Sequence, residues 1–173
     1  ITLDANGGKF VKDGVDSETV EIKYTHGTYT SYDAAQLISE YLEEKGITLS
    51  REGYQLNEMW QSNGSSWKRV FTEKDRTITA QWSKLYTVTL SENDIETTPT
   101  TQTATSYTLP TELSAGSCQD DTKEFVGWTT NEELSSEATP TSDFYEKGKT
   151  VTLSEDKTTF YAVFATVDGG GAT

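Results

Sequence analysis

The sequence predicts an α+β fold, mostly β, arranged as two small domains in tandem. Three observations predict it. Four segments alternate apolar and polar residues with period two, one segment has helical spacing, and motifs from the first half return in the same order in the second.

The alternating segments are Val20-Glu21-Ile22-Lys23-Tyr24, Ile78-Thr79-Ala80-Gln81-Trp82, Tyr86-Thr87-Val88-Thr89-Leu90 and Phe160-Tyr161-Ala162-Val163-Phe164. Such alternation gives a strand one buried and one exposed face. In the last segment the outward positions, Tyr161 and Val163, are themselves apolar, so that strand is expected to be covered on both faces. Ser and Thr supply 46 residues, and Thr dominates. Its β-branched side chain suits strands whose outer face is wet.

One segment breaks the pattern. From Asp33 to Lys45 the apolar residues Ala34, Leu37, Ile38, Tyr41 and Leu42 recur every three or four positions, which predicts an amphipathic helix packed on a sheet. Asp33 followed by Gln36 resembles a capping box. Lys45 falls in the expected last turn, and Gly46 follows as a stop. Turns are expected at Asn6-Gly7-Gly8 and at Ser62-Asn63-Gly64-Ser65, the latter joining a hairpin between Trp60 and Trp67. The low-complexity stretch Glu96–Ser106 reads as an exposed loop or irregular edge. The tail from Val167, with Gly169-Gly170-Gly171, reads as a flexible linker at residues 167–173.

The chain compares well with itself. Ile1-Thr2-Leu3-Asp4-Ala5-Asn6 resembles Val88-Thr89-Leu90-Ser91-Glu92-Asn93 at an offset of 87, and Thr77–Trp82 resembles Thr159–Phe164 at an offset of 82. Between them, Gly53-Tyr54-Gln55-Leu56 with Trp60 resembles Glu124-Phe125-Val126-Gly127-Trp128. The changing offsets require insertions, the helix in the first unit and the polar stretch Asn131–Asp143 in the second. The expected domains are residues 1–84 and 85–166.

Charge excludes several classes. There are 14 Lys and Arg against 28 Asp and Glu in 173 residues, a net charge of −14. Such a chain repels phosphate and anionic lipid, so neither nucleic acid nor membrane insertion is expected. No apolar run reaches the length of a membrane span. Leu, Ile, Val and Phe together number only 32, below the fraction at which a highly charged chain is expected to fold. Four Trp and nine Tyr offset that shortage, so order is expected except in the tail and at residues 97–105. The chain opens on Ile1 rather than Met, and it reads as a piece of something longer.

Little in the sequence suggests chemistry. His26 is the single His, in a turn-like Thr-His-Gly-Thr setting without a visible nucleophile or orienting group. Cys118 is a lone thiol with acidic neighbours that work against a thiolate. Asp120/Asp121 and Glu132/Glu133 read as solvated surface. Asp4–Gly8 and Ser91–Glu96 offer oxygens to calcium, but neither follows the twelve-residue loop pattern. No catalytic residue, cofactor or metal is assigned. Trp82 and Trp128 stand in the repeated motifs and are expected in cores. Trp60 and Trp67 flank a polar turn and form the candidate ligand-binding site, an aromatic platform for a sugar or a partner protein. A cross-strand hairpin pair is the structural alternative.

The order Leu3-Asp4-Ala5-Asn6-Gly7-Gly8, then Phe125-Val126-Gly127-Trp128, then Ile78-Thr79-Ala80-Gln81-Trp82 and Phe160-Tyr161-Ala162-Val163-Phe164 resembles the Listeria–Bacteroides repeat family, related to the internalin B repeat. The first unit departs from it at Leu56-Asn57-Glu58-Met59-Trp60, which lacks the Gly and is one residue long. Met59 is expected at the usual Trp position, with Trp60 pointing elsewhere. The resemblance implies two tandem β-grasp-like modules without catalytic residues. It implies an extracellular or cell-surface bacterial setting, as a stalk or spacer and in adhesion. The expected partners are neighbouring repeats of the same chain and a host or glycan ligand.

Overall fold

Short strands dominate, because single apolar residues set among Thr and charged residues cover only one face at a time. The computed structural model describes residues 1–22, 31–58, 60–62, 76–114, 122–133 and 143–166. Among the described residues the chain is mostly β with one helix, and it divides into two compact units, Ile1–Lys84 and Leu85–Thr173.

The first unit contains β1 (Thr2–Asp4), β2 (Lys9–Lys12), β3 (Val15–Ser17), β4 (Thr19–Glu21), α1 (Ser31–Glu44), β5 (Thr48–Ser50), β6 (Tyr54–Leu56), β7 (Gln61–Ser62), β8 (Thr77–Thr79) and β9 (Trp82–Lys84). Its main sheet has the order β4-β1-β8-β7. Leu3 of β1 faces Val20 of antiparallel β4 on one side and Ile78 of parallel β8 on the other. Alternate residues turn inward, so Leu3, Ala5, Ile78 and Ala80 are all buried. Phe10, from the smaller sheet β3-β2-β5, joins the same core.

The helix contributes Ile38 and Leu42 to this core, with Ala35, Leu37 and Tyr41 partly buried against it. Full burial of a side chain the size of Ile38 contributes about 1.5–3 kcal/mol. The helix begins at Ser31, two positions before the expected start, because apolar spacing gives no signal in its polar first turn. Asp33 therefore lies inside the helix rather than at its cap. The stop is where the sequence puts it. Gly46 has φ +64°, its N–H donates to the Glu43 carbonyl, and the Ile47 N–H donates to the Leu42 carbonyl. These two bonds are a Schellman cap, and its companion residues Leu42 and Ile47 pack in one core. The helix ends at Glu44, so Lys45 falls just beyond the last turn.

The expected strand Ile78–Trp82 is two strands in different sheets, β8 and β9. The Ala80 N–H donates to the Asp4 carbonyl of β1, and the Gln81 carbonyl accepts from Asn57, just past β6. The backbone thus changes partner between these residues. Trp82 is half-buried, and its indole N–H donates to the Ala5 carbonyl at 2.8 Å. Its ring covers Gly8, where a Cβ would come within 2.6 Å of Trp82 Cζ2 and 2.8 Å of the Ser50 carbonyl. Packing therefore demands the second glycine of Asn6-Gly7-Gly8.

The second unit contains β10 (Tyr86–Glu92), β11 (Ile95–Glu96), β12 (Thr100–Gln102), β13 (Ser106–Thr108), β14 (Lys123–Thr129), β15 (Phe144–Glu146), β16 (Thr150–Thr152) and β17 (Lys157–Thr166). The main sheet runs β11-β10-β17-β14-β15, with β12 also on β10, while β13 and β16 pair separately. Leu90 of β10 faces Phe160 of parallel β17. The Thr-rich stretch, expected as an exposed loop or irregular edge, holds β12, which pairs antiparallel with β10. Thr on both faces hides the period of two that would announce a strand. On β17, Phe160 and Ala162 enter the core, and Val163 on the opposite face is also buried.

A bulge sets the second core. Phe125 faces Phe164, yet Gly127 faces Val163, so Val126 is an extra residue in β14. Phe125 and Trp128, three apart, would otherwise point to opposite faces. With the bulge both reach the core, rings edge to face at 5.2 Å. A Cβ on Gly127 would collide with the Tyr145 carbonyl oxygen and come within 2.6 Å of the Phe144 ring. The Trp128 indole N–H donates to the Pro110 carbonyl at 3.0 Å.

Candidate functional site

Trp60 is 5% exposed and packs with Leu3, Ile38 and Ile78 in the first core. An exposed aromatic platform on Trp60 is therefore corrected. The cause is strand register. Gln61 faces Thr79 and Ser62 faces Ile78, so one step further Trp60 comes opposite buried Ala80. Cross-strand neighbours share a face. The related expectation, Met59 at the Trp position of the resembled motif with Trp60 pointing elsewhere, turns on a residue that is not described. Trp67, Met59, His26, Cys118 and Asp120/Asp121 lie outside the described residues, as do residues 63–65 of the expected hairpin turn and the tail 167–173.

Two of the carboxylates considered for calcium, Asp4 and Glu92, accept hydrogen bonds from the chain itself. An Asp4 carboxylate oxygen accepts the Asn6 N–H at 2.7 Å, and the Asn6 side-chain amide donates to the Ala80 carbonyl. Glu92 is buried, 4% exposed. Its carboxylate accepts the Ser114 N–H at 2.9 and 3.1 Å and the Ser114 hydroxyl at 2.9 Å, which ties the segment after Leu109 to the end of β10. Glu132 and Glu133 are exposed. Among the described residues no three His, Cys, Asp or Glu side chains gather as metal ligands.

The described residues also line open grooves, of which two stand out. One, in the first unit, has a volume of about 460 Å³ and is lined by Phe10, Val15, Val20 and Tyr41 with Lys12, Glu21 and Lys45 around them. Val15 there is 69% exposed, and Lys45 Nζ stands 5.8 Å from the Tyr41 ring centre. The other, in the second unit, has about 390 Å³ and carries Tyr145, Tyr161, Glu155 and Lys157 among Thr residues. Neither lining contains His or Cys. Sequence reasoning missed both, because their residues come from separate elements; only Val15, set just after the Asp13-Gly14 turn, carried a local sign. Tyr107 lies parallel to Phe160, ring centres 6.3 Å apart, and burial raises its phenol above the ordinary value.

No family model, no curated protein and no solved structure matches the chain.

Proposed function

We propose that the chain is a non-enzymatic repeat module of a bacterial secreted or cell-surface protein, two β-grasp-like units in tandem that act as a stalk or spacer. One observation carries the reading. Residues matched by the internal repeat also pair alike: Leu3 with Ile78 in the first unit, Leu90 with Phe160 in the second. Chance resemblance between strands would not reproduce the same parallel partner at the same step. Trp128 faces Ala162, and the β7–β8 register carried one residue further sets Trp60 against Ala80, the Ala that the repeat equates with Ala162. The sheet order β4-β1-β8-β7, with a helix between its second and third strands in chain order, supports a β-grasp in the first unit. The second sheet holds the comparable order β12-β10-β17-β14.

The packing needs of Gly8, Gly127 and the two Trp residues give the resembled motif a structural purpose, and none of them supplies chemistry. A net charge of −14 keeps such a surface soluble and discourages self-association. With Trp60 in the core, no observation favours the second reading, a binding site around Trp60 and Trp67. The test is labelling of intact bacteria that make the parent protein, using antibodies raised against this chain. Staining that external protease removes is expected; staining only after permeabilisation would overturn the reading.

A further inference from the structure

The entry and exit strands of each unit carry a consequence for a stalk under tension. The chain enters the first unit through β1 and leaves by β8 and β9, and it enters the second through β10 and leaves by β17. In the second unit the entry strand is hydrogen-bonded in parallel to the exit strand itself; in the first it pairs in parallel with β8, and the last strand, β9, lies antiparallel on β6 and must peel away before β8 takes the load. Pulling the ends of a parallel pair drives the strands past each other, so the force lies along them and every rung is loaded together. In an antiparallel terminal pair the two ends share one edge, and the rungs open in succession.

The two ladders differ in length. Thr2–Asp4 pair with Thr77–Thr79, closed at the ends by Thr2 N–H to the Arg76 carbonyl and Ala80 N–H to the Asp4 carbonyl, each 2.9 Å. Thr87–Ser91 pair with the longer run Lys157–Tyr161, and Thr87 N–H donates to the Asp156 carbonyl at 2.8 Å. Beyond Tyr161, β17 stays paired to β14 as far as Thr166.

We infer that the chain bears load through two shear clamps of graded strength, the first unit yielding before the second. Forced unfolding is set by the barrier to opening, and more rungs broken together make a higher barrier. On a tethered stalk, the first unit would lengthen and absorb a pull while the second holds. That role rests on the proposed surface function; the clamps themselves belong to the isolated chain.

Single-molecule pulling of the whole chain through handles at its two ends tests this. Two unfolding events are expected, the weaker from the first unit. Leu3→Ala identifies it, since only that event weakens or disappears, and the remaining event belongs to the second unit. A second tether, in Cys118→Ser/Glu155→Cys, is held at the N-terminus and at residue 155. Glu155 stands beside the start of β17, so the second unit is now unzipped while the first is loaded as before. Its event should fall below that of the first unit. An unchanged force for the second unit in both geometries would overturn the shear clamps, and a second unit that yields first in the end-to-end pull would overturn the grading. Either failure leaves surface labelling intact, and loss of surface labelling leaves the mechanics intact.

Discussion

Trp60 and Trp128 reach buried positions by different local routes, a plain strand start in one unit and a bulged strand in the other. Removing either ring from a core leaves a large cavity, and Trp60→Ala is expected to cost about 3–5 kcal/mol. Urea unfolding of the first unit reads this, and an unchanged midpoint would place the ring outside the core. Tyr107 sets a pH limit. Burial raises its phenol above the ordinary 10.0, so the unfolded chain loses this proton first as pH rises. The stabilisation is therefore full below pH 10.0 and lost as pH climbs through the folded value. A falling urea midpoint above that pH is expected, and Tyr107→Phe should remove this share of the fall. An equal fall in both proteins would assign the alkaline loss to other groups.

At the scale of elements, α1 and its Gly46 stop were legible because helix spacing and a left-handed C-terminal residue are local signals. The strand break after Thr79 was not, since alternation continues across Ala80-Gln81 while the backbone changes sheets. β12 was legible only as a loop or irregular edge, because Thr on both faces hides the period of a strand. The Val126 bulge escaped notice too, although Phe125 and Trp128 at odd spacing were its visible sign. Gly127 is the test of that element. Gly127→Ala drives a methyl group against the Tyr145 carbonyl and the Phe144 ring and is expected to cost about 1–3 kcal/mol, as overpacking does. Calorimetry of the second unit's transition measures it. A neutral result would mean that β14 and β15 separate easily.

For the whole molecule, charge governs colloidal behaviour. With 28 acidic and 14 basic side chains, the net charge vanishes near pH 4.4, where repulsion between molecules is lost. Solubility is expected to pass through a minimum there and to recover on either side, as light scattering against pH would show. A flat profile would mean that hydration of the Thr-rich faces, rather than charge, keeps the chains apart. The candidate site was the least legible feature at this scale. Trp60 and Trp67 drew notice as rings around a polar turn, but a turn does not say which face its flanking residues occupy.

The sequence by itself determined the mostly-β character, the helix α1 with its Gly46 stop, and the Asn6-Gly7 turn, because each depends on residues within a few positions of one another. Tertiary structure alone decided that Leu3 faces Ile78, that Trp60 lies inside, and that Phe125 and Trp128 share a core. Those outcomes depend on register between strands distant in the chain. One step of register turns a side chain from water to core, and no local pattern fixes that step.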